Sequence, residues 1–328
     1  MKAIVVTKFG GPEELILTDV PLPEINDDQV LIRVAATSVN FADVQTRKGL
    51  YHAAGNPPLI PGLDVAGHVE KVGRNVTKFK VGQRVIALPK TGSYAEFVVV
   101  DENLVYPLPD SIDMITAAAC PVVTFTSYKL LVDVGRLQAG ESVLIHAASG
   151  GIGTTCVQLA RLLQASTVIG TIGNAEKQPN VIKAGADAVI VTSKQDFVAE
   201  VMESTMGKGV DLVLDSIAGS TTRKNLECLA RYGRLVVFGN ASGEAGVVET
   251  TDLHASCRSV LGFSLGTTRN YRPEMLQETA EKVLDLISRD LLKIMVGHTF
   301  PLAEAKTAHE LMESRQHTGK IVLTVDQA

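Results

Sequence analysis

The stretch that most constrains the fold is Val143–Gly153, which reads VLIHAASGGIG. A short apolar run leads into small residues and then into an Ala-x-Gly-x-x-Gly pattern that ends at Gly153. The next residues, Thr154–Ala165, carry apolar side chains at helical spacing, and a second apolar run occupies Thr167–Thr171. This order predicts a strand, a glycine-rich turn, a helix and a second strand, which is a βαβ unit.

The chemistry of such a turn suits an anion. A helix N-terminus presents unpaired backbone N–H groups and a partial positive charge, and glycines let a pyrophosphate approach them closely. The alternative is a tight turn that packs well and binds nothing. A strand, an amphipathic helix and a second strand flank this turn, and that context favours dinucleotide binding.

The bulk properties exclude several classes of function. A chain of 328 residues is long enough for about two domains. Its net charge is −5 and it has no long basic run, which argues against nucleic acid or an anionic membrane as a main partner. No apolar stretch approaches the roughly 18 residues that span a bilayer, and the N-terminus lacks the pattern of a signal peptide. We therefore expect a cytoplasmic protein.

Cysteine and histidine usage gives no metal or redox motif. The four cysteines contain no C-x-x-C spacing, so neither a zinc clip nor a dithiol is predicted. His146 lies in the strand before the glycine turn, where a packed side chain is a better interpretation than a catalytic base.

Residues 1 to about 105 are rich in short strand patterns separated by Gly and Pro, which predicts a compact antiparallel barrel. A more helical segment covers Asn40–Leu50, and two helices that meet near Pro121 are expected between Ile112 and Val134. The expected strands are Lys2–Val6, Glu14–Asp19, Gln29–Thr37, Asp64–Val72, Arg84–Ala87 and Ala95–Val100.

Strands and helices then alternate from Glu141 to about Leu265, which predicts a doubly wound parallel sheet. The expected strands are 142–147, 166–171, 187–191, 211–214 and 234–238, with helices such as Gln195–Met206 and Thr221–Leu229 between them. The final part returns to the first domain with a helix at Pro273–Leu292, an extended Thr299–Phe300, a helix at Pro301–Glu313 and a strand at Lys320–Val325. The expected domains are 1–122 with 267–328, and 123–266.

Several motifs occur in a recognisable order: Asn40-Phe41-Ala42-Asp43, Gly49-Leu50-Tyr51, Pro61-Gly62 with Gly67 and Gly73, Pro121 with Thr126 and Tyr128, the glycine turn, and Gly319-Lys320-Ile321. In this order the chain resembles the medium-chain dehydrogenase/reductase superfamily, and within it the zinc-independent quinone oxidoreductase (zeta-crystallin-like) branch. The resemblance covers nearly the whole chain. It implies an α/β protein with a GroES-like β-barrel domain and a Rossmann doubly wound parallel sheet, with the active site in the cleft between them.

The superfamily also includes zinc alcohol dehydrogenases, so the metal ligands are a test. The positions that match their catalytic zinc ligands hold Asn40, Leu63 and Val122. Leu and Val offer no lone pair, and Asn is a poor zinc ligand. Without a Lewis acid to polarise the substrate, we expect a hydride acceptor that is already electron-poor, such as a quinone or another α,β-unsaturated carbonyl.

The second strand of the βαβ unit indicates which nicotinamide cofactor is used. NAD-specific units carry an Asp or Glu at its end, whereas this chain reads Gly170-Thr171-Ile172-Gly173-Asn174. Asn174 offers hydrogen bonds and Lys177 offers positive charge to a 2′-phosphate, which favours NADPH, although Glu176 weakens the argument. The alternative for Lys177 is an ordinary solvated helix residue.

The resemblance implies further cofactor contacts by position. Asn40 and Thr126 are expected near the nicotinamide, and Lys320 at the phosphates or ribose. Two residues at strand ends, Asp211 and Asp215, are ambiguous, and for Asp211 a structural role is preferred. The remaining expected contacts are Ser149, Gly150, Gly151, Ile152, Thr171, Asp215, Gly239, Asn240, Phe263 and Ser264.

Tyr51 is the candidate proton donor, with Asn40 beside it as the other candidate catalytic residue. Tyr51 follows a motif similar to that of enoyl-thioester reductases of the superfamily, and a tyrosine keeps its proton at neutral pH. The alternative is packing against Pro57 and Pro58. Arg47 offers charge to an anionic substrate group, although a solvated helix residue is more common.

Three functions remain open at this stage. The first is an NADPH-dependent quinone reductase, and the second is an enoyl-thioester or alkenal double-bond reductase, which would want a basic rim for a CoA group. The third is a non-catalytic NADPH-binding structural or regulatory protein. Relatives are often dimers through edge strands, so a homodimer is expected, with Val247–Leu261 as a possible strand region.

Overall fold

The computed structural model describes residues 1–51 and 55–325. The chain divides into two compact units, one formed by Met1–Phe125 with Leu265–Ala328 and the other by Thr126–Ser264. No helix in the described ranges has the length and apolar content that crossing a bilayer requires.

The N-terminal part of the first unit is mainly β-structure, as the alternation of apolar residues predicts. Its elements are β1 (Lys2–Val6), β2 (Leu15–Asp19), β3 (Gln29–Val39), α1 (Phe41–Arg47), β4 (Val65–Val72), β5 (Arg84–Ala87), β6 (Phe97–Asp101), β7 (Val105–Pro107) and α2 (Met114–Ala118). Helix α3 (Pro121–Tyr128) then carries the chain into the second unit and continues as a π-helical segment, Lys129–Val134.

The second unit alternates strictly between strands and helices. Its elements are β8 (Ser142–Ile145), α4 (Gly151–Leu162), β9 (Thr167–Ile172), α5 (Gln178–Ala184), β10 (Ala188–Val191), α6 (Phe197–Ser204), β11 (Val210–Asp215), α7 (Ser220–Glu227), β12 (Leu229–Val237), α8 (Thr251–His254) and β13 (Ser259–Gly262). The chain returns to the first unit through α9 (Leu265–Tyr271), α10 (Gln277–Ser288), β14 (Val296–Pro301), α11 (Ala305–Ser314) and β15 (Lys320–Thr324).

In the first unit, the long strand β3 organises the main sheet. It pairs antiparallel with β4, β6 and β15, and the sheet order is β14-β15-β3-β4-β5-β7. The last strand of the chain therefore lies beside the strand that ends at Val39. This pairing brings the start of β15 next to the end of β3, although the two are far apart in sequence.

In the second unit, six parallel strands form one sheet in the order β10-β9-β8-β11-β12-β13. The prediction of a doubly wound parallel sheet is confirmed. From β8 the chain adds β9 and then β10 on one side of the sheet. It then returns and places β11 on the other side of β8. Ligands bind at such a reversal, beyond the carboxyl ends of the strands.

Two local predictions were wrong, and one helix was not predicted. Strand β12 begins at Leu229, where a helix end was expected, because Leu229 pairs with Val210 before a register shift and a left-handed Tyr232 (φ +63°). The segment Leu265–Tyr271, to which the sequence pattern assigned no element, is a helix. Within Val247–Leu261, only Ser259–Leu261 belongs to a strand, since α8 occupies Thr251–His254.

Candidate active site and dinucleotide site

The glycine-rich turn joins β8 to the N-terminus of α4. Ala147 has a left-handed backbone (φ +51°), and α4 begins after Gly150. A Cβ atom on Gly153 would lie 2.4 Å from the Ala147 carbonyl oxygen, so only glycine lets the helix start this close to the turn. A Cβ atom on Gly150 would meet no protein atom nearer than 3.4 Å. Gly150 therefore leaves open space at the helix N-terminus, as an approaching phosphate requires.

The turn lies at the point where the strand order reverses, between β8 and β11. Because all six strands are parallel, the loops that follow β8, β9, β11, β12 and β13 share one edge of the sheet. The structure thus brings together most of the residues predicted to contact the cofactor. They are Ser149, Gly150, Gly151, Ile152, Asn174, Lys177, Gly239, Asn240, Phe263 and Ser264.

The loop after β9 holds Asn174 and Lys177. The Asn174 side chain caps a short turn, with Oδ1 accepting from the Glu176 backbone N–H at 3.0 Å and Nδ2 lying 3.3 Å from the Glu176 carboxylate. Partial burial lowers the pKa of Lys177. Lys177 ends this turn and supplies a positive charge on the loop, while Glu176 brings a carboxylate close to Asn174.

Asp215 ends β11, and its carboxylate is fully buried. It accepts hydrogen bonds from the Ile217 and Ala218 backbone N–H groups, from the Thr222 hydroxyl and from the Asn225 amide. The expected direct contact between this side chain and the cofactor is therefore not available. Asp215 instead shapes the loop that follows it. Asp211 has the structural role that was preferred for it, since its Oδ2 accepts from the Ser142 N–H and hydroxyl.

Thr171 and Thr126 are also buried. The Thr171 hydroxyl lies 2.9 Å from His146 Nδ1, so it faces the interior and does not face a ligand. Thr126 lies in α3, next to Ser127, whose hydroxyl donates to the Ile152 carbonyl oxygen at 3.2 Å. His146 is a packed residue, as predicted, with its ring edge-on to Phe197.

The first unit contains a buried cluster around Asp64. The Asp64 Oδ2 atom accepts from the Ser38 hydroxyl at 2.5 Å and from Asn40 Nδ2 at 2.7 Å, and the Lys320 ammonium lies 3.3 Å away. Its Oδ1 atom accepts from the Val122 N–H at 2.7 Å. The pairing of β15 with β3 creates this cluster, because it places Lys320 beside Val39 and Asn40.

Lys320 has no donor left for a cofactor. Its side chain is only 4% exposed, and the ammonium bonds Asn40 Oδ1 at 2.5 Å as well as the Val39 carbonyl oxygen and Asp64 at 3.3 Å. An ammonium carries three protons, and all three are used inside the unit. We therefore correct the expectation that Lys320 reaches the cofactor phosphates: it holds the Asn40 side chain in place.

Tyr51 is half-buried, and burial raises the pKa of its phenol, while the nearby positive charge of Arg269 lowers it. Arg269 is 2% exposed, and its guanidinium donates to the carbonyl oxygens of Pro89 at 2.5 Å and Lys90 at 3.3 Å. A rigidly held guanidinium thus lies near the phenol that was predicted to donate a proton.

Asp43 caps α1 by accepting from the Asn40 N–H at 2.8 Å, and burial raises the pKa of Asp43 to about 7. The Tyr94 hydroxyl lies 3.4 Å from Asp43 and 3.1 Å from His309 Nε2. Burial, with the charge of Arg47, lowers the pKa of His309 to about 3. At neutral pH His309 is therefore neutral, and Asp43 lies close to the midpoint of its titration.

Arg47 was expected to be solvated or to bind an anionic substrate, and it does neither. It is fully buried and pairs with Glu313 at 2.7 Å, and Lys48 pairs with the other oxygen of the same carboxylate. These two residues do not form the basic rim that a CoA group would need.

Sequence reasoning missed Asp64, Asp43, Arg269 and Asn225 as contributors to these sites. Asp64 had a detectable signal, because a carboxylate inside the apolar run Leu63–Ala66 must find partners when buried. Asp43 also had a local signal, because Asn40 and Asp43 have the spacing of a capping box at the start of a helix. Arg269 and Asn225 had none, since their partners lie in other segments.

Two family models match the chain. Residues 26–110 match the alcohol dehydrogenase GroES-like domain, and residues 184–323 match a zinc-binding dehydrogenase domain. A quinone oxidoreductase of Pseudomonas aeruginosa is 38% identical over 328 residues, which cover 98% of this chain and 99% of that protein. The chain belongs to the medium-chain dehydrogenase/reductase superfamily, in its quinone oxidoreductase branch. The resemblance noted in the sequence is confirmed, and so is the fold class.

Two further relatives carry information about chemistry. A 2-haloacrylate reductase of Burkholderia sp is 36% identical over 328 residues, covering 98% of each chain. The crystal structure of Escherichia coli quinone oxidoreductase complexed with NADPH has a TM-score of 0.91 at 33% identity, covering 99% of this chain and 100% of that one.

The name of the second family model raises the question of zinc, and the residues present do not fit that metal. The side chains of Leu63 and Val122 offer no ligand atom. Asn40 Oδ1 and Asp64 Oδ2 accept from the Lys320 ammonium, and Asp64 Oδ1 accepts from the Val122 N–H. A fixed organic cation thus neutralises the buried carboxylate. Within the described residues, no group of three or more His, Cys, Asp or Glu side chains is arranged to hold a metal ion.

Proposed function

We propose that this protein is an NADPH-dependent reductase that works without zinc and transfers hydride to a quinone or another α,β-unsaturated carbonyl. NADPH supplies the hydride when it is bound. The observation that carries the substrate class is the Asn40–Asp64–Lys320 cluster. Its cation is an ammonium that cannot act as a Lewis acid on an alcohol, so the acceptor must be electron-poor by itself.

The second unit is proposed to bind the dinucleotide. The segment Ser149–Ile152 at the start of α4 suits the pyrophosphate through the N–H groups of the first helical turn, Gly151 and Ile152, since the Gly150 N–H donates to the Ala147 carbonyl oxygen at 3.0 Å. Lys177 suits a 2′-phosphate. Gly239, Asn240, Phe263 and Ser264 lie at the same edge of the sheet and are proposed to contact the rest of the cofactor. The structure with NADPH of the Escherichia coli relative supports this assignment.

Tyr51 is proposed to protonate the substrate oxygen or carbon on which negative charge develops. Its raised pKa keeps the phenol protonated at neutral pH, as a general acid requires. The Arg269 charge would stabilise the phenolate that remains after proton transfer. Asn40 is held by Lys320 and Asp64, so its amide is positioned rather than mobile.

Two observations support the second candidate function, reduction of a carbon–carbon double bond. The Tyr51–Arg269 pair provides a proton, which reduction of a carbon–carbon double bond needs, and a 2-haloacrylate reductase is among the relatives. The pairing of Arg47 and Lys48 with Glu313 disfavours CoA thioesters. We therefore favour small conjugated carbonyl compounds over thioesters.

The test is a panel of quinones, small enones, 2-haloacrylate and enoyl-CoA, assayed by the absorbance of reduced nicotinamide. We expect NADPH oxidation with quinones or small enones, and no reduction of NADP⁺ when ethanol is supplied with the oxidised cofactor. Tight NADPH binding without turnover of any acceptor would instead support a binding protein. Homodimerisation stays a prediction, with β13 at one edge of the parallel sheet as the candidate contact, and light scattering would test it.

A further inference from the structure

A buried chain of four polar side chains lies beneath the carboxyl edge of the parallel sheet. It runs from Thr171 through His146 and Asn225 to Asp215. The Thr171 hydroxyl lies 2.9 Å from His146 Nδ1, His146 Nε2 lies 2.6 Å from Asn225 Oδ1, and Asn225 Nδ2 lies 3.1 Å from Asp215 Oδ2. All four residues are at least 97% buried. The chain therefore connects the ends of β8, β9 and β11 with helix α7.

The direction of every hydrogen bond in this chain is fixed from the Asp215 end. The Asp215 carboxylate accepts four donors, two from the backbone and two from side chains, so it only accepts. Asn225 must then turn its NH₂ group to Asp215 and its oxygen to His146. His146 must donate from Nε2, which leaves Nδ1 to accept the Thr171 proton. Burial, the largest influence, lowers the pKa of His146, consistent with a neutral ring.

The same hydrogen bonds connect the two parts of the sheet edge that would hold a phosphorylated dinucleotide. His146 directly precedes the glycine-rich turn, and Thr171 lies three residues before Asn174 in the loop that ends at Lys177. A backbone bond from the Ala148 N–H to the Thr171 carbonyl oxygen, at 2.9 Å, reinforces the same connection. The distance between the pyrophosphate turn and the 2′-phosphate loop is therefore held by the β8–β9 pairing, by this backbone bond and by the His146–Thr171 contact, and the last of these is its one side-chain contribution from the buried chain.

We propose that His146 is a positioning residue that sets the spacing between the glycine turn and the Asn174–Lys177 loop and thereby favours NADPH over NADH. The proposal rests on the proposed dinucleotide function. NADPH must engage the turn and the loop at once, whereas NADH lacks the phosphate that reaches the loop. A loop that is not held in place must be ordered on binding, and that cost falls on NADPH alone.

Two substitutions at position 146 separate the two hydrogen bonds. Asn places a polar atom near the position of Nδ1, so His146→Asn keeps an acceptor for Thr171 and loses the donor to Asn225. Gln reaches the position of Nε2, so His146→Gln keeps the donor to Asn225 and loses the acceptor for Thr171. Both changes disturb the same buried site, so they serve as a matched pair.

The experiment measures the Kd of NADPH and of NADH for each variant by calorimetry. We expect His146→Gln to weaken NADPH binding about tenfold while NADH binding stays within about twofold, a ratio that corresponds to roughly one lost neutral hydrogen bond. His146→Asn should keep the wild-type ratio of the two Kd values. Thr171→Val, which replaces only the hydroxyl by a methyl group, should reproduce the effect of His146→Gln. The exposed His254→Gln in α8 is the control and should match the wild type.

Two kinds of result would overturn the proposal. An equal loss for both dinucleotides in His146→Gln and Thr171→Val would show a general structural role, and an unchanged ratio in Thr171→Val would show that the contact does not set selectivity. If the wild type binds neither dinucleotide, the proposed function fails, and this proposal fails with it. If the wild type binds the dinucleotides normally and the variants keep its ratio of the two Kd values, only the proposed role of His146 is refuted.

Discussion

Replacing Lys320 by methionine tests the buried cluster of the first unit. The substitution keeps most of the side-chain volume and removes the ammonium, so Asp64 remains buried without its cation. Removing one partner of a buried ion pair costs about 3–5 kcal/mol. Asp64 keeps hydrogen bonds from Val122, Ser38 and Asn40, so we expect the lower end of that range.

The assay is urea unfolding followed by circular dichroism. With a slope near 3 kcal/mol/M, a loss of about 3 kcal/mol lowers the unfolding midpoint by about 1 M. The exposed Lys282→Met in α10 is the matched control and should change the free energy of unfolding by less than about 0.5 kcal/mol. Adding Asp64→Asn to Lys320→Met should recover part of the loss, because the uncompensated charge is gone. A Lys320→Met protein as stable as the wild type, or a double variant less stable than the single one, would refute the reasoning.

Three other predictions concern single residues. Tyr51→Phe should lower enone turnover about a hundredfold while quinones, which take protons from water, lose little; unchanged enone turnover would exclude the acid role. Lys177→Met should raise the Kd of NADPH about tenfold or more and leave NADH unaffected, whereas equal effects on both would place Lys177 away from the 2′-phosphate. The folded pKa of Asp43, about 7, lies above its unfolded value, so its stabilising effect is present below about pH 4 and is lost as the pH rises through 7. The free energy of unfolding of Asp43→Asn relative to the wild type should therefore rise by up to roughly 4 kcal/mol between about pH 4 and 8, and a flat difference would contradict the shift.

Local periodicity was enough to predict the parallel sheet and the glycine turn. The apolar pattern of each βαβ unit lies within a short stretch of sequence, and its turn residues lie directly between the strand and the helix. The same logic failed at Leu229, because a register shift and a left-handed Tyr232 let a strand form where the pattern resembled a helix end.

Local sequence patterns could not predict the buried clusters. Asn40 and Lys320 are separated by 280 positions, and only the pairing of β15 with β3 brings them together. Lys320 was expected at the cofactor phosphates or ribose because the family resemblance implied a contact at its position. Its burial against Asp64 is a tertiary effect that no sequence window contains. For Asp215, the strand-end position was predicted, but the four donors that occupy its carboxylate were not.

The central claim is that hydride moves from NADPH to an electron-poor conjugated carbonyl. It is tested most directly with NADPH that carries deuterium at the transferred position, a small enone as acceptor, and mass spectrometry of the product. We predict that the product carries one deuterium at its β-carbon and that added zinc chelator leaves the rate unchanged. A product without deuterium, or an activity that the chelator abolishes and zinc restores, would contradict the account.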